Sequence, residues 1–498
     1  MLYTSTRDSK LHISSAQAIT KGISDEGGLF LPEEIPEISL DFIAQLAKKT
    51  YIERAVDVLS LFLTDFTADE LRAYAEGAYG GDKFSSEKKA PVVSLGDGVN
   101  ILELWKGPTC AFKDMALQIL PYLLTGSAKK IDNDKEIVIL VATSGDTGKA
   151  ALEGFKDVEG TRILVFYPSE GVSPMQKLQM TTQEGSNVGV AAIRGNFDDA
   201  QNGVKAIFTD AKIKQKFSEH GFAFSSANSI NWGRLVPQIV YYFSAYCDVL
   251  NNGDIALGDK INFVVPTGNF GNILAAYFAM KMGLPVNKLI CASNANNVLT
   301  DFIESGTYDR NRHFYATCSP SMDILISSNL ERLLFMLCGR DDSTIREWFS
   351  GLAAEGKYTV SAQVKSAIDE VFAAGCCDDR ETKATIKKIF AQSNYLCDTH
   401  TAVAVNVYEK YKAASGDTTP TVIDSTASPF KFAASVLEAV AEDITAKDEF
   451  SMLAELEAFT GCKAPAQLSS LKDKAVRFDT VCNKEEMTDI VLSMLGIQ

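Results

Sequence analysis

The strongest constraint in this sequence is a pattern in which an apolar strand runs into a glycine-rich loop that opens a helix. Ile261 to Val265 leads into Pro266-Thr267-Gly268-Asn269-Phe270-Gly271-Asn272 and a helix from Ile273 to Met282. Ile137 to Val141 leads likewise into Thr143-Ser144-Gly145-Asp146-Thr147-Gly148 and a helix from Lys149 to Phe155. The β-branched runs Ile163 to Phe166 and Val188 to Ile193 also end in turn residues. Strand, loop and helix in alternation predict an α/β architecture with a mostly parallel sheet.

Both loops have the chemistry of anion sites. Glycines let backbone N–H groups turn inward at a helix start, where unsatisfied donors and the positive end of the dipole favour a phosphate or carboxylate. The plainer alternatives are a tight turn at 268–271 and an Asp-Thr helix cap at 146–147. A nucleotide P-loop is excluded by spacing, because Thr143 and Ala150 stand where it needs glycine and Ser or Thr. The dinucleotide fingerprint G-x-G-x-x-G is absent from both loops.

A third segment, Lys106-Gly107-Pro108-Thr109-Cys110-Ala111-Phe112-Lys113-Asp114, makes a turn before Met115, Ile119 and Leu123, whose spacing predicts one helical apolar face beginning just after Lys113. An ammonium is poorly placed beside the positive end of a helix dipole, which favours the neutral amine or an imine. Taken alone, Lys113 reads as a solvated lysine. The two anion-binding loops change that reading.

Composition narrows the remaining possibilities. The chain has 498 residues, with 48 Lys and Arg against 64 Asp and Glu, and its net charge of −16 repels polyanions. Nucleic-acid and membrane partners are therefore not expected. Met1 to Lys10 lack the apolar core of a secretion signal, and ten scattered cysteines suit a reducing cytoplasm. The four histidines form no helical ligand pair, so no metal is expected.

The expected organisation is an N-terminal domain over 1–92, an α/β body over 93–340 and 393–498 with a small lobe at about 135–225, and a helical insertion over 341–392. The first domain carries two helical stretches, Leu40 to Lys49 and Asp69 to Tyr79, the second started by Thr67 as N-cap. The body ends in a helical, acidic C-terminal tail.

Together these segments resemble the threonine synthase family, pyridoxal-phosphate enzymes of the tryptophan synthase β-like fold (fold type II). The resemblance runs through Ala18 to Glu33, Gly107 to Asp114, Ala142 to Gly148, Asn228 to Arg234, Pro266 to Asn272, Asn294 to Leu299, Ser319 to Ile324 and Asp424 to Phe432, in the family's order. It implies two α/β lobes plus an N-terminal domain, and pyridoxal 5'-phosphate as cofactor. Lys113 is then the Schiff-base lysine, Gly268, Asn269, Phe270, Gly271 and Asn272 hold the cofactor phosphate, and Thr426 faces the pyridine nitrogen. Asp146 stands near the cofactor 3-hydroxyl. Ser144, Gly145, Thr147 and Gly148 clamp the substrate carboxylate, while Asn231 and Arg234 are candidates for the substrate phosphate. Lys431 either assists them or is a solvated loop lysine.

Three positions depart from the family pattern. Trp105-Lys106 precede Gly107, Thr399 replaces a proline before His400, and Ser428 stands where a histidine is frequent. None touches Lys113 or the loops, and His400 is not assigned to catalysis. The implied reaction converts O-phospho-L-homoserine and water to L-threonine and phosphate in a monomer or homodimer. The rivals are another pyridoxal-phosphate reaction, such as threonine dehydration or a β-replacement, and a silent paralogue that binds a phosphorylated metabolite.

Overall fold

The computed structural model describes residues 1–143, 145–170 and 172–497, without the side chain of Asp198. Two sheets carry the body. In the larger, six strands lie in the order Phe372–Cys376, Val286–Ser293, Ile261–Pro266, Thr421–Ser425, Val99–Glu103 and Val92–Gly96. All neighbours are parallel except the last pair. Ile261–Pro266 and Thr421–Ser425 are buried at every position, as the central strands of a parallel sheet covered on both faces are.

The smaller sheet has five parallel strands in the order Val481–Cys482, Val188–Ile193, Thr161–Pro168, Glu136–Ala142 and Phe222–Ser225. Four of them fall between Glu136 and Ser225. The fifth comes from the C-terminal stretch, and the helix Met487–Met494 packs Met487 and Val491 into the core of this lobe. The expected tail is thus an edge strand and covering helix of the small lobe.

The stretch 341–392 also differs from expectation. Three helices, Asp342–Glu355, Ala362–Val371 and Asp379–Ser393, enclose two strands. Lys357–Thr359 pairs antiparallel with Thr307–Asp309, and Phe372–Cys376 is the edge of the main sheet. Phe372-Ala-Ala-Gly-Cys has little intrinsic strand preference, and pairing with Val286–Ser293 decides its conformation.

The N-terminal region combines a three-stranded antiparallel sheet with four helices. Thr67 caps Ala68–Tyr79 as expected, its hydroxyl accepting from Glu70 N and the Glu70 carboxylate accepting from Thr67 N. A further helix, Tyr51–Phe62, is opened by the same device at Thr50 and Glu53. Between this region and the sheets runs Trp232–Asn251, buried from Trp232 to Val249, as a helix that is apolar on nearly every face must be. Among the described residues no helix is long and apolar enough to cross a membrane, and the ten cysteines are free.

Candidate active site

Three adjacent parallel strands, Val99–Glu103, Thr421–Ser425 and Ile261–Pro266, end on the same edge of the main sheet. Their C-terminal ends carry the Lys113 segment, Thr426 and the Gly268–Asn272 loop. The carboxyl ends of parallel strands are where open α/β sheets leave a crevice for ligands.

The lysine segment is pinned directly to the Thr426 segment. Phe112 N donates to Thr426 O at 2.8 Å and Ser428 N to Cys110 O at 3.1 Å, closing a bridge between Ala111 and Ala427. Within the turn, the buried Asp114 carboxylate accepts from Thr109 N at 2.8 Å and Thr109 Oγ1 at 2.6 Å. A Cβ at Gly107 would meet Asp114 Oδ2 at 2.6 Å, so this turn requires glycine.

Lys113 precedes a helix of only four residues, Asp114–Leu117, and the next helix starts at Leu120. The single long helix expected from Met115, Ile119 and Leu123 is therefore broken, and a short helix has little dipole to act on the amine. Burial is the main influence instead. It lowers the Lys113 ammonium to about 8, against the opposing pull of Asp146 and assisted by the cations Lys431 and Arg234.

Asp146 opens the helix Asp146–Phe155 and is paired with Lys431, Nζ to Oδ1 at 2.7 Å. The Gln176 side-chain amide donates to the same carboxylate oxygen at 3.1 Å. Burial alone would raise this carboxyl, but Lys431 and Lys113 hold it well below the usual carboxylate range. Lys431 is buried, with its ammonium also donating to Thr109 O at 3.0 Å, so the solvated reading of this residue does not hold.

Gly145, Thr147 and Gly148 complete the small-lobe loop, and Ser144 lies outside the described residues. Thr143 Oγ1 accepts from Gly145 N and Gly148 N, both at 3.0 Å, and a Cβ at Gly148 would meet Thr143 Cγ2 at 2.3 Å. The loop is built around that threonine.

At the other loop, Phe270 adopts a left-handed φ of 62° and ends the turn, and the helix Gly271–Met282 follows. Among the described residues, Gly268, Asn269 and Phe270 N–H groups have no hydrogen-bond acceptor, and the N–H groups of Gly271 and Asn272 lie in the first helical turn. A Cβ at Gly268 would meet Ser321 O at 2.7 Å. Asn269 is exposed, and its carbonyl accepts from Asn329 N at 3.1 Å and Asn329 Nδ2 at 3.0 Å.

Arg234 and Asn231 behave differently from each other. Asn231 caps Trp232–Asn251 by accepting from Gly233 N at 2.8 Å, and its amide donates to Ile19 O at 3.0 Å and Ser226 O at 2.9 Å. Both amide hydrogens are engaged, so Asn231 orients the helix and has no donor left for a phosphate. Arg234 is buried, donates through Nη1 to Ala227 O at 2.9 Å, and leaves Nε unpartnered among the described residues. Burial lowers its guanidinium to about 10.

Three family models match the chain: Threonine synthase N terminus over residues 2–79, Pyridoxal-phosphate dependent enzyme over 91–425, and Threonine synthase, C-terminal over 401–491. Over 440 residues the chain is 39% identical to the threonine synthase of Pseudomonas aeruginosa, which covers 88% of this chain and 90% of that protein. The chain belongs to the threonine synthase family of pyridoxal-phosphate-dependent enzymes. The pyridoxal-phosphate-bound threonine synthase of Brucella melitensis, 37% identical, superposes with a TM-score of 0.88 and 99% coverage of both chains. Threonine synthase-like 1 of Pongo abelii is 41% identical over 435 residues, and this chain spans 58% of its length.

Three features of the site suit pyridoxal phosphate, the cofactor of this family: a buried lysine whose amine is lowered toward neutrality, free amides at the Gly268–Asn272 turn, and the backbone approach that only a glycine at 268 permits. The Thr426 side chain is buried beside them. Of the three departures from the family's motifs, Trp105-Lys106 and Ser428 make structural contacts, while the Thr399 hydroxyl is buried without a partner among the described residues. Lys106 pairs with Glu103 at 2.9 Å and lies 3.8 Å from the Trp105 ring centroid, while Trp105 Nε1 donates to Ser425 Oγ at 3.0 Å. His400 is buried, with Nδ1 at 2.7 Å from Asp398 Oδ2 and Nε2 accepting from Ser321 N at 3.1 Å, which fixes the Nδ1–H tautomer. Ser428 caps the short turn Pro429–Phe432 by accepting from Phe430 N at 3.4 Å.

Sequence reasoning missed the central place of Lys431, the role of Gln176, and the buried Arg332, which donates to Phe30 O at 2.8 Å and Asn329 Oδ1 at 2.5 Å and also bonds Ile230 O. The run of Lys431 between two phenylalanines was the one available signal that this lysine is drawn inward.

Proposed function

We propose that this chain catalyses the threonine synthase reaction, converting O-phospho-L-homoserine and water into L-threonine and phosphate, as a carbon–oxygen lyase acting on a phosphate. The observation that carries this reading is Arg234, a buried guanidinium with a free Nε and no carboxylate among the influences on it. A buried cation without an acid requires an anion. The cofactor phosphate is served by the amides at 268–272, so Arg234 is left for a second phosphate, that of the substrate.

When bound, pyridoxal phosphate supplies an aldehyde that condenses with amines and a ring that draws electrons from the substrate Cα. Lys113 would hold the cofactor aldehyde and, once released by the incoming substrate amine, would be a neutral amine placed to take the Cα proton. The same amine, alternating between neutral and charged, would take a Cβ proton as phosphate leaves Cγ, supply the proton that Cγ gains before water adds at Cβ, and return a proton to Cα at the end. Arg234 would stabilise the charge that develops on the phosphate oxygens as the bond to Cγ breaks, with the Lys431 ammonium, held by Asp146 and Thr109 O, adding positive potential. Gly145 and Gly148 give their N–H groups to Thr143 Oγ1 and shape the loop, which leaves Thr147 of the expected clamp to orient the substrate carboxylate, and Asp146 would serve the 3-hydroxyl. The Thr426 hydroxyl would serve the ring nitrogen, which a hydroxyl cannot hold protonated as a carboxylate would. Closure of the small lobe excludes water until Cβ is ready to receive it.

The Arg234→Ala enzyme tests the reading. It should retain the cofactor absorbance and lose roughly a hundredfold in kcat/KM for O-phospho-L-homoserine, the scale expected when one partner of a buried charge contact is removed. Loss of the cofactor instead would contradict it.

A further inference from the structure

Behind the Gly268–Asn272 turn lies a polar cluster that the reaction does not use. Asp424, Asn272, Tyr241 and Tyr242 are all buried, Asp424 and both tyrosines completely. Asn272 Nδ2 donates to Asp424 Oδ2 at 3.0 Å, and the Tyr242 hydroxyl lies 2.8 Å from the same oxygen and 2.7 Å from Asn272 Oδ1. The Tyr241 hydroxyl also bonds Asn272 Oδ1 and is 3.0 Å from Gln238 Oε1. Gln238 in turn donates to Arg234 O at 2.8 Å. Every side-chain bond described for Asn272 thus runs toward the sheet and the helix Trp232–Asn251, and none toward its own backbone.

That direction matters. An asparagine in the first turn of a helix ordinarily bonds nearby backbone N–H groups and competes for them. Held by Asp424 and the tyrosines, Asn272 leaves those N–H groups free to face an anion. The proton count is specific as well. Tyr242 has a single hydrogen for two short oxygen contacts, so both are satisfied only if Asp424 brings a proton of its own. The other carboxyl oxygen, Oδ1, is buried without a partner among the described residues, and burial pushes the Asp424 carboxyl up to about 7 against the bonds from Tyr242 and Asn272.

We propose that Asp424 is a positioning residue for the cofactor phosphate: its carboxyl fixes the Asn272 side chain and so holds the first turn of the helix whose amides receive the phosphate. This rests on the reading of Gly268–Asn272 as the phosphate cradle. Asp424 touches neither cofactor nor substrate and acts only through Asn272.

The test compares binding of pyridoxal phosphate and of pyridoxal, which lacks the phosphate, to the full chain below neutral pH. Asp424→Ala leaves the buried Asn272 Nδ2 donor and the Tyr242 hydroxyl oxygen without their partner at the cradle and should weaken pyridoxal phosphate about tenfold while changing pyridoxal less than about twofold. Asp424→Asn, whose side-chain oxygen can still accept from Asn272 Nδ2 and from Tyr242, should keep most of the preference for the phosphorylated form. If Asp424→Ala does not fold, Tyr242→Phe removes one hydroxyl without a cavity and should lower the preference in the same direction. Equal weakening of both ligands in Asp424→Ala, or an unchanged preference in it or in Tyr242→Phe, overturns the proposal. Gly268→Val separates the two claims. If it abolishes the preference while Asp424→Ala does not, the cradle stands and the role of Asp424 falls; if it leaves the preference intact, the cradle reading itself is wrong.

Discussion

Lys431 Nζ sits 2.7 Å from Asp146 Oδ1, and almost no surface of either side chain reaches solvent. This pair joins the C-terminal end of the main sheet to the first turn of the small lobe's loop helix, so the two lobes meet at a buried charge contact. Removing one member of such a pair strands the other in the interior, which costs about 3–5 kcal/mol. Lys431→Met should therefore lower unfolding stability by that order in a denaturant titration. Lys431→Met combined with Asp146→Asn should recover part of the loss; a double variant as unstable as the sum of the two singles would argue against the coupling.

The Lys113 amine gives a pH prediction. Its conjugate acid, lowered by burial to about 8, leaves the reactive neutral form increasing as pH rises toward that value. The rate at which cofactor-free enzyme captures pyridoxal phosphate should climb through that range and level off above it. Lys431 is one of the cations that lower this group, so Lys431→Met should move the midpoint upward. A midpoint that stays put or falls would show the two amines to be electrostatically independent.

Arg332 offers a third test. It links the N-terminal region at Phe30 O, the lead-in to the Arg234 helix at Ile230 O, and the Gly268–Asn272 turn through Asn329, which donates to Asn269 O. Truncating it leaves several buried acceptors unpaired. Arg332→Met should weaken both cofactor and substrate binding, roughly tenfold or more, although the guanidinium contacts neither. Equilibrium cofactor titration and KM measured at saturating cofactor check the two effects separately.

A fourth prediction concerns the small-lobe loop. A Cβ on Gly148 would strike the Thr143 side chain that receives Gly145 N and Gly148 N. Gly148→Ala should raise KM for the amino-acid substrate with the cofactor spectrum unchanged, whereas Gly148→Ala combined with Thr143→Ser, which deletes the offending methyl, should restore much of it. Steady-state kinetics on the two variants decide this.

The parts of the site made by backbone were legible in the sequence, because a glycine loop between an apolar strand and a helix has few other uses. Both loops were read that way, and Lys113 was singled out only because they accompany it and by the family resemblance. What the sequence concealed were partnerships across long separations: nothing around Asp146 announces Lys431, and nothing in Asn231 says that its amide is consumed in capping a helix. The helix dipole was the wrong cause for the lowered Lys113 amine, since a four-residue helix carries little dipole and burial acts instead. In the fold, Thr50 and Glu53 had already signalled the unread helix Tyr51–Phe62. Phe372–Cys376 and Val481–Cys482 had no such signal, as both are edge strands whose conformation comes from the neighbour they pair with.

The central claim is that one site, built from Lys113 and Arg234, eliminates phosphate and completes the product. The most direct measurement incubates the full chain and pyridoxal phosphate with O-phospho-L-homoserine and follows inorganic phosphate and L-threonine together. Equal amounts of the two, abolished by Lys113→Ala, are predicted. Phosphate without threonine, or neither product from a cofactor-loaded enzyme, would contradict the account.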